Sequence, residues 1–225
     1  MTAIVVQTFI AAPPATVWAA LFAQAELLFD GLPVKAWPEP REEQPPFHVR
    51  VAWPGAPGPT DVSITLHEVG GGVRMDVRHD GWQDGPAWEE AVQGHFAGWL
   101  HGASILGLMI EHGKDARVAD PALRSAERYL ISGEIPAPAS PVFRAITDAE
   151  ALQHWSDGVL NGATLSESLE DRYVRWRLPA GGELIAVLRP TPRGTHLALA
   201  EYGVRDRGAS ARWPGLFERL TRWLV

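Results

Sequence analysis

The sequence predicts an α+β protein built as a tandem duplication, each copy an antiparallel sheet closed by a long C-terminal helix. Three observations carry that prediction. The segment IAAPPATVWAAL from Ile10 returns as IPAPASPVFRAI from Ile135, at a constant offset of 125 residues. The segment GVRMDVRHDGW, Gly72 to Trp82, returns as GTHLALAEYGV, Gly194 to Val204, at an offset of 122. Two similar segments in the same order, with three residues of drift between them, are the signature of a repeated unit. Finally, Trp88, Val92, Phe96, Trp99, Ala103, Leu106 and Ile110 recur at steps of three and four, which predicts one long amphipathic helix.

Taken in order, Ile4 to Ile10 reads as a strand broken by Ala12-Pro13-Pro14, and the prolines suit the start of a helix carrying Val17, Trp18, Leu21 and Phe22. Residues 31 to 60 are rich in Pro and Gly and enclose one strand, Phe47 to Trp53, with Phe47, Val49, Val51 and Trp53 on its apolar face. Asp61 to Glu68 alternates with Val62, Ile64 and Leu66 inward, and Val69-Gly70-Gly71-Gly72 links it as a hairpin to the strand with Val73, Met75 and Val77. The register that pairs Leu66 with Met75 and Ile64 with Val77 sets Val62 opposite His79. The closing helix spans about Pro86 to His112, with Ala87, Ala91, Gly94, Gly98 and Gly102 as a small-residue line beside the apolar stripe. Either another element packs closely on that line, or it leaves space for a ligand.

The pattern then restarts. Residues 1–113 form the first expected domain, 114–125 a polar linker, and 126–225 the second. In the second, Arg128 to Ile135, Tyr173 to Leu178 and Glu183 to Arg189 read as strands, and the closing helix, about Ala209 to Val225, is shorter. Its Trp213 aligns with Trp99, and a more open pocket is expected in this copy.

Composition narrows the function. An apolar fraction of 46% supports a folded core, and the ten tryptophans divide six and four between the halves, which suggests two interiors. No cysteine is present, so disulfides and thiolate chemistry are excluded. The first 113 residues hold 5 Lys/Arg against 13 Asp/Glu and the rest 15 against 14; neither half offers the basic face that a nucleic acid needs. No run is long enough for a membrane span, and the N-terminus lacks signal-peptide character, so a soluble cytoplasmic protein is expected. The glycines of 70–72 join two strands rather than a strand to a helix, which argues against a phosphate-binding loop.

The repeated segments, together with Ala151-Leu152-Gln153-His154-Trp155 and GGGVRMDVRHDGW, resemble the START-like, or SRPBCC, superfamily. Within it the chain is similar to homologues of the activator of the Hsp90 ATPase. The resemblance covers nearly the whole chain and implies two tandem helix-grip domains, each a curved antiparallel sheet wrapped around a long C-terminal helix with a cavity between. His79-Asp80-Gly81-Trp82 looks like the family's strand-end pattern, whereas Glu201-Tyr202-Gly203-Val204 departs from it. Any specific chemistry is therefore expected in one copy alone.

The candidate ligand-binding residues are Trp53, Ile64, Met75, Val77, His79, His95 and Trp99 in the first copy, with Trp176, Leu199 and Glu201 in the second. His79 reads either as a hydrogen-bonder or acid/base at a cavity mouth, or as an imidazole anchoring a strand end. Glu201, if buried, needs a partner, for which Arg205 or Arg175 is expected. His95 reads as a cavity residue or a satisfied core histidine. His67 points away from His79 by strand parity, and His95 and His101 diverge around their helix, so no metal is expected, nor any cofactor. The leading function is binding of a small hydrophobic or aromatic ligand. The alternative, drawn from the resemblance, is a co-chaperone or scaffold surface for a protein partner or homodimer; a cyclase or hydrolase using His79 ranks below both.

Overall fold

In the computed structural model, which describes residues 3–29, 36–54, 57–118, 121–124, 128–179, 181–203 and 209–225, the chain divides into two units, Met1–Asp115 and Ala116–Val225. The first runs β1 (Ile4–Ile10), α1 (Pro14–Ala23), α2 (Ala25–Leu28), β2 (Pro40–Gln44), β3 (His48–Trp53), β4 (Thr60–Val69), β5 (Gly72–Asp80) and α3 (Pro86–His112). The second runs α4 (Pro121–Arg124), β6 (Arg128–Ile135), α5 (Ala139–Thr147), α6 (Ala149–Trp155), β7 (Thr164–Leu169), β8 (Tyr173–Arg177), β9 (Glu183–Thr191), β10 (Gly194–Tyr202) and α7 (Ala209–Leu224). Both sheets are antiparallel, ordered β1-β5-β4-β3-β2 and β6-β10-β9-β8-β7, which is the same topology strand for strand. The repeat in sequence is a repeat in structure.

Local chemistry explains the elements. Proline opens α1 and α3, where its missing N–H costs nothing. Gly113 ends α3 in the left-handed conformation at φ 64°, its N–H bonded to Met109 O at 2.9 Å. Asp148 caps α6 by accepting from the N–H groups of Glu150 and Ala151. Strands β1, β3, β4 and β5 alternate buried with more exposed positions, and the hairpin pairs Leu66 with Met75, Ile64 with Val77 and Val62 with His79 as expected.

Several expectations need correction. Phe47 lies outside β3 and is exposed, its carbonyl receiving the Leu66 N–H instead. The edge strands β2 and β7 were not anticipated, because neither carries an apolar alternation. Ion pairs dress β2 instead: Arg41 with Asp61 at 2.7 Å and Arg50 with Glu42 at 3.1 Å. The boundary between the two units, after Asp115, falls within the segment read as linker, 114–125, which also holds the buried Ala116 and Val118 and α4.

The opening glycine of each repeated hairpin strand has one steric reason. A Cβ on Gly72 would strike the Ile10 carbonyl and lie 2.9 Å from Ala11 Cα; one on Gly194 would strike the Ile135 carbonyl and lie 2.9 Å from Ala137 N. In both places the chain leaving the first strand turns tightly over the glycine, with Ala12 N to Ile10 O and Ala137 N to Ile135 O both 2.8 Å. Gly72→Ala is therefore expected to lower stability by about 1–3 kcal/mol through overpacking against backbone. Gly70→Ala, which meets nothing within 4 Å, should stay within about 0.5 kcal/mol of the parent in a denaturant titration.

Candidate functional site

Each sheet is tied to its closing helix at the end of its repeated strand. His79, fully buried near the end of β5, accepts the indole N–H of Trp99 from α3 on Nδ1 at 3.1 Å. Because an indole nitrogen only donates, Nδ1 must carry a lone pair, which leaves Nε2 to donate to Thr60 Oγ1 at 2.9 Å. Thr60 in turn donates to the Trp53 carbonyl at 3.4 Å, and the His79 carbonyl accepts from Trp82 Nε1 at 2.8 Å. Burial, and secondarily the neighbouring His95, pushes the imidazole pKa from 6.5 down to about 3. His79 is a neutral, singly oriented connector.

Around it lies a continuous set of rings. Trp53 packs against Trp99 at 4.8 Å between centroids and against Phe29 at 5.4 Å; His79 meets Trp82 at 4.3 Å and His95 at 5.2 Å. The set reaches the half-buried Trp88 through Trp82 and the half-buried Trp37 through Phe29. His95 bonds the Ala91 carbonyl through Nδ1 at 2.8 Å, as a core histidine does. The small-residue line on α3 is resolved into two parts: Gly102 lets the Leu28 backbone of α2 approach, while Gly94 is exposed and meets nothing.

In the second unit Glu201 takes the place of His79, and Trp213 takes the place of Trp99. The Trp213 indole N–H donates to Glu201 Oε2 in a short hydrogen bond, and Arg212 Nη2 reaches both carboxylate oxygens at 3.1 and 3.0 Å. Arg212 is thus the cation for Glu201. Arg175, one of the two expected, instead faces Glu167 at 3.4 Å and Glu183 at 3.8 Å and donates to the Arg117 carbonyl; Arg205 lies outside the described residues.

The structure gathers Trp53, Ile64, Met75, Val77 and Trp99 into one core cluster with His79 and His95 against it, and places Trp176 and Leu199 in the core of the second unit. The cavities bordered by described residues include two. One, of about 270 Å3, opens beside the strand ends of the first unit and is lined by Arg41, Ala52, Trp53, Pro59, Thr60 and Asp61, among others. Sequence reasoning missed Thr60, whose only signal was a hydroxyl at the mouth of β4, two residues before Val62. The other, of about 570 Å3, lies between α5, α6 and α7, lined by Arg144, His154 and Trp223 and remote in sequence from Trp176, Leu199 and Glu201. Among the described residues no three His, Asp or Glu side chains group as metal ligands, and no helix is long and apolar enough to cross a membrane.

Each unit has the helix-grip arrangement. Solved structures similar to the chain include DynU16, from the dynemicin biosynthetic locus, at 16% identity over the whole of both chains with a TM-score of 0.46. An AHSA1-like protein from Aeromonas hydrophila matches at 15% identity over 43% of this chain and 91% of its own, with a TM-score of 0.35. The Aha1 dimer from Colwellia psychrerythraea matches at 15% identity over 44% and 96%, with a TM-score of 0.37. No protein-family model matches the sequence, and no curated protein matches it.

The lowered His79 pKa has a defined sign. Below pH 6.5 an unfolded histidine takes up a proton that the folded ring refuses, so the His79 contribution to stability is flat above 6.5 and falls from there towards about 3. The His79 contribution to that slope has a ceiling of about 1.4 kcal/mol per pH unit. Imidazole nitrogen resonances should show His79 in the Nε2–H tautomer throughout that interval, and a ring that titrates near 6.5 would contradict the hydrogen-bond pattern. In the second unit, Glu201→Leu should cost about 3 kcal/mol by stranding Trp213 Nε1 and Arg212, whereas Glu201→Gln, which retains an acceptor, should cost less in the same unfolding assay.

Proposed function

We propose that the first unit binds a small, neutral, ring-containing apolar ligand at its strand-end cavity, and that the second unit serves mainly as structure. The observation that supports this reading is that Trp53 belongs both to the buried ring set and to the lining of the 270 Å3 cavity. Apolar and aromatic walls with a few placed polar groups are the usual composition of a small-molecule site. The volume sits just below the common range of roughly 300–1,000 Å3, which favours a ligand of one ring or two.

Charge supports the same ligand class. His79 is held neutral, and at the cavity lip Arg41 is already paired with Asp61, so neither offers an uncommitted charge to an ionic ligand. An acid/base role for His79 has little support, since both ring nitrogens are engaged and the residue is fully buried. The outer face of the first sheet carries Arg74–Asp76 and Arg78–Asp80 pairs, which suit water better than a docked apolar partner.

Ethylbenzene, acetophenone and related single-ring compounds should raise the thermal midpoint of the protein in a concentration-dependent way. Ala52→Phe, which puts a ring into the cavity, should abolish that shift while preserving the fold by circular dichroism. Absence of any shift up to the solubility limit of the probes would sink the reading.

A further inference from the structure

The tryptophans of the chain are interior residues with one exception. Nine are buried or half-buried, whereas Trp223, on the last turn of α7, is 46% exposed. With Leu224 it forms an apolar wall of the cavity of about 570 Å3 between α5, α6 and α7. Arg144 of α5 and Glu150 of α6 line the same cavity and are exposed as well, so a solute reaches all three side chains. Elsewhere in this unit Arg212 pairs with Glu201 and Arg219 with Asp157, each at 3.0 Å. Arg144 and Glu150 differ: among the described residues neither side chain has an ionic partner, and they do not meet one another across the cavity. Asp148, a further carboxylate in the lining, already accepts the Glu150 and Ala151 N–H groups as the cap of α6. At the repeat offset of 125 Arg144 corresponds to Ala19, and the alignment of Trp213 with Trp99 sets Trp223 against Met109. The first copy thus holds neither the cation nor the ring.

We propose that this groove binds an aromatic α-amino acid as the zwitterion, with the side-chain ring on Trp223 and Leu224, the carboxylate on Arg144 and the ammonium on Glu150. Separated opposite charges beside an exposed ring select for a ligand that carries both signs and a ring of its own. An anion alone would face Glu150 and Asp148, and a cation alone would face Arg144, whereas a zwitterion meets a partner for each. A guanidinium offers a carboxylate two parallel donors, and an indole offers an aromatic ring an offset or edge-on contact. The volume lies inside the common range of roughly 300–1,000 Å3 for small-molecule sites. The groove is walled by helices rather than by the sheet, so the proposal goes beyond the first-unit reading, does not depend on it, and leaves the core of the second unit as structure.

The test titrates the isotope-labelled full chain with L-phenylalanine, with phenethylamine, which lacks the carboxylate, and with hydrocinnamate, which lacks the ammonium, and follows the tryptophan indole N–H resonances by NMR. L-Phenylalanine should shift the Trp223 resonance saturably, and each analogue should bind about two- to fivefold more weakly, the worth of one exposed charge pair. In Arg144→Gln the advantage of L-phenylalanine over phenethylamine should vanish, and in Glu150→Gln its advantage over hydrocinnamate. Both side chains are exposed, so the variants should unfold within about 0.5 kcal/mol of the parent. Equal binding of L-phenylalanine and either analogue by the parent overturns the zwitterion assignment, as does an advantage that survives in the matching variant. No saturable shift at Trp223, or shifts confined to Trp53 and Trp82, overturns the groove as a site and leaves the first-unit reading to its own test.

Discussion

The hydrogen bond from a closing-helix indole to an acceptor near the end of the repeated strand is the constraint on which both units turn. A helix laid on a sheet is held mainly by apolar burial, which is non-directional and allows sliding. The Trp99–His79 and Trp213–Glu201 bonds fix where along the strand each helix sits. Both are buried, so neither partner can exchange its bond for one to water, and losing either member strands the other. The two bonds span 20 and 12 residues of chain, so the second unit preserves the contact with a shorter approach to it. That is how a 16-residue α7 does the anchoring work of a 27-residue α3.

Much of the architecture was legible because periodicity and repetition report burial directly. The β4–β5 register followed from keeping Val62, Ile64 and Leu66 on the face of Met75 and Val77, since a shift of one residue would turn every apolar group to solvent. The edge strands escaped notice for the same reason: PREEQ in β2 is exposed at every position, so pattern had nothing to register. Phe47 misled by continuing an alternation past the point where the backbone stops pairing. The partner of Glu201 was missed because the choice lay with helix phase: Arg212 directly precedes Trp213 on α7, whereas Arg175 lies on β8 and faces Glu167 and Glu183.

The candidate site was legible as a set of residues and illegible as a network. His79, Trp53 and Trp99 were identifiable as inward-facing groups at one level of the fold, but nothing in their spacing showed that the histidine accepts from one tryptophan and relays to the backbone of another through Thr60. Tautomer follows from partners, and partners follow from coordinates. The glycine line on α3 shows the same division. Sequence offered close packing or ligand space along its whole length; the structure assigns close packing to Gly102 and open surface to Gly94.

The exchange of histidine for glutamate between the copies now has a physical reading. What the position must supply is an acceptor for an indole N–H, and a neutral imidazole or a carboxylate does that equally well. Their consequences differ. The carboxylate brings a charge into a site 8% exposed and is satisfied by Arg212, which commits that end of the second unit to an ion pair. The sheet there is also buried on both faces, Ile185, Val187, Ala198 and Tyr202 on one and Leu184, Ala186, Leu197 and Leu199 on the other. The imidazole brings no charge, and its second nitrogen passes the connection on to Thr60 at a cavity wall. A neutral acceptor therefore leaves the first unit's helix-to-strand connection without charge, while the same anchoring job in the second is done by an ion pair.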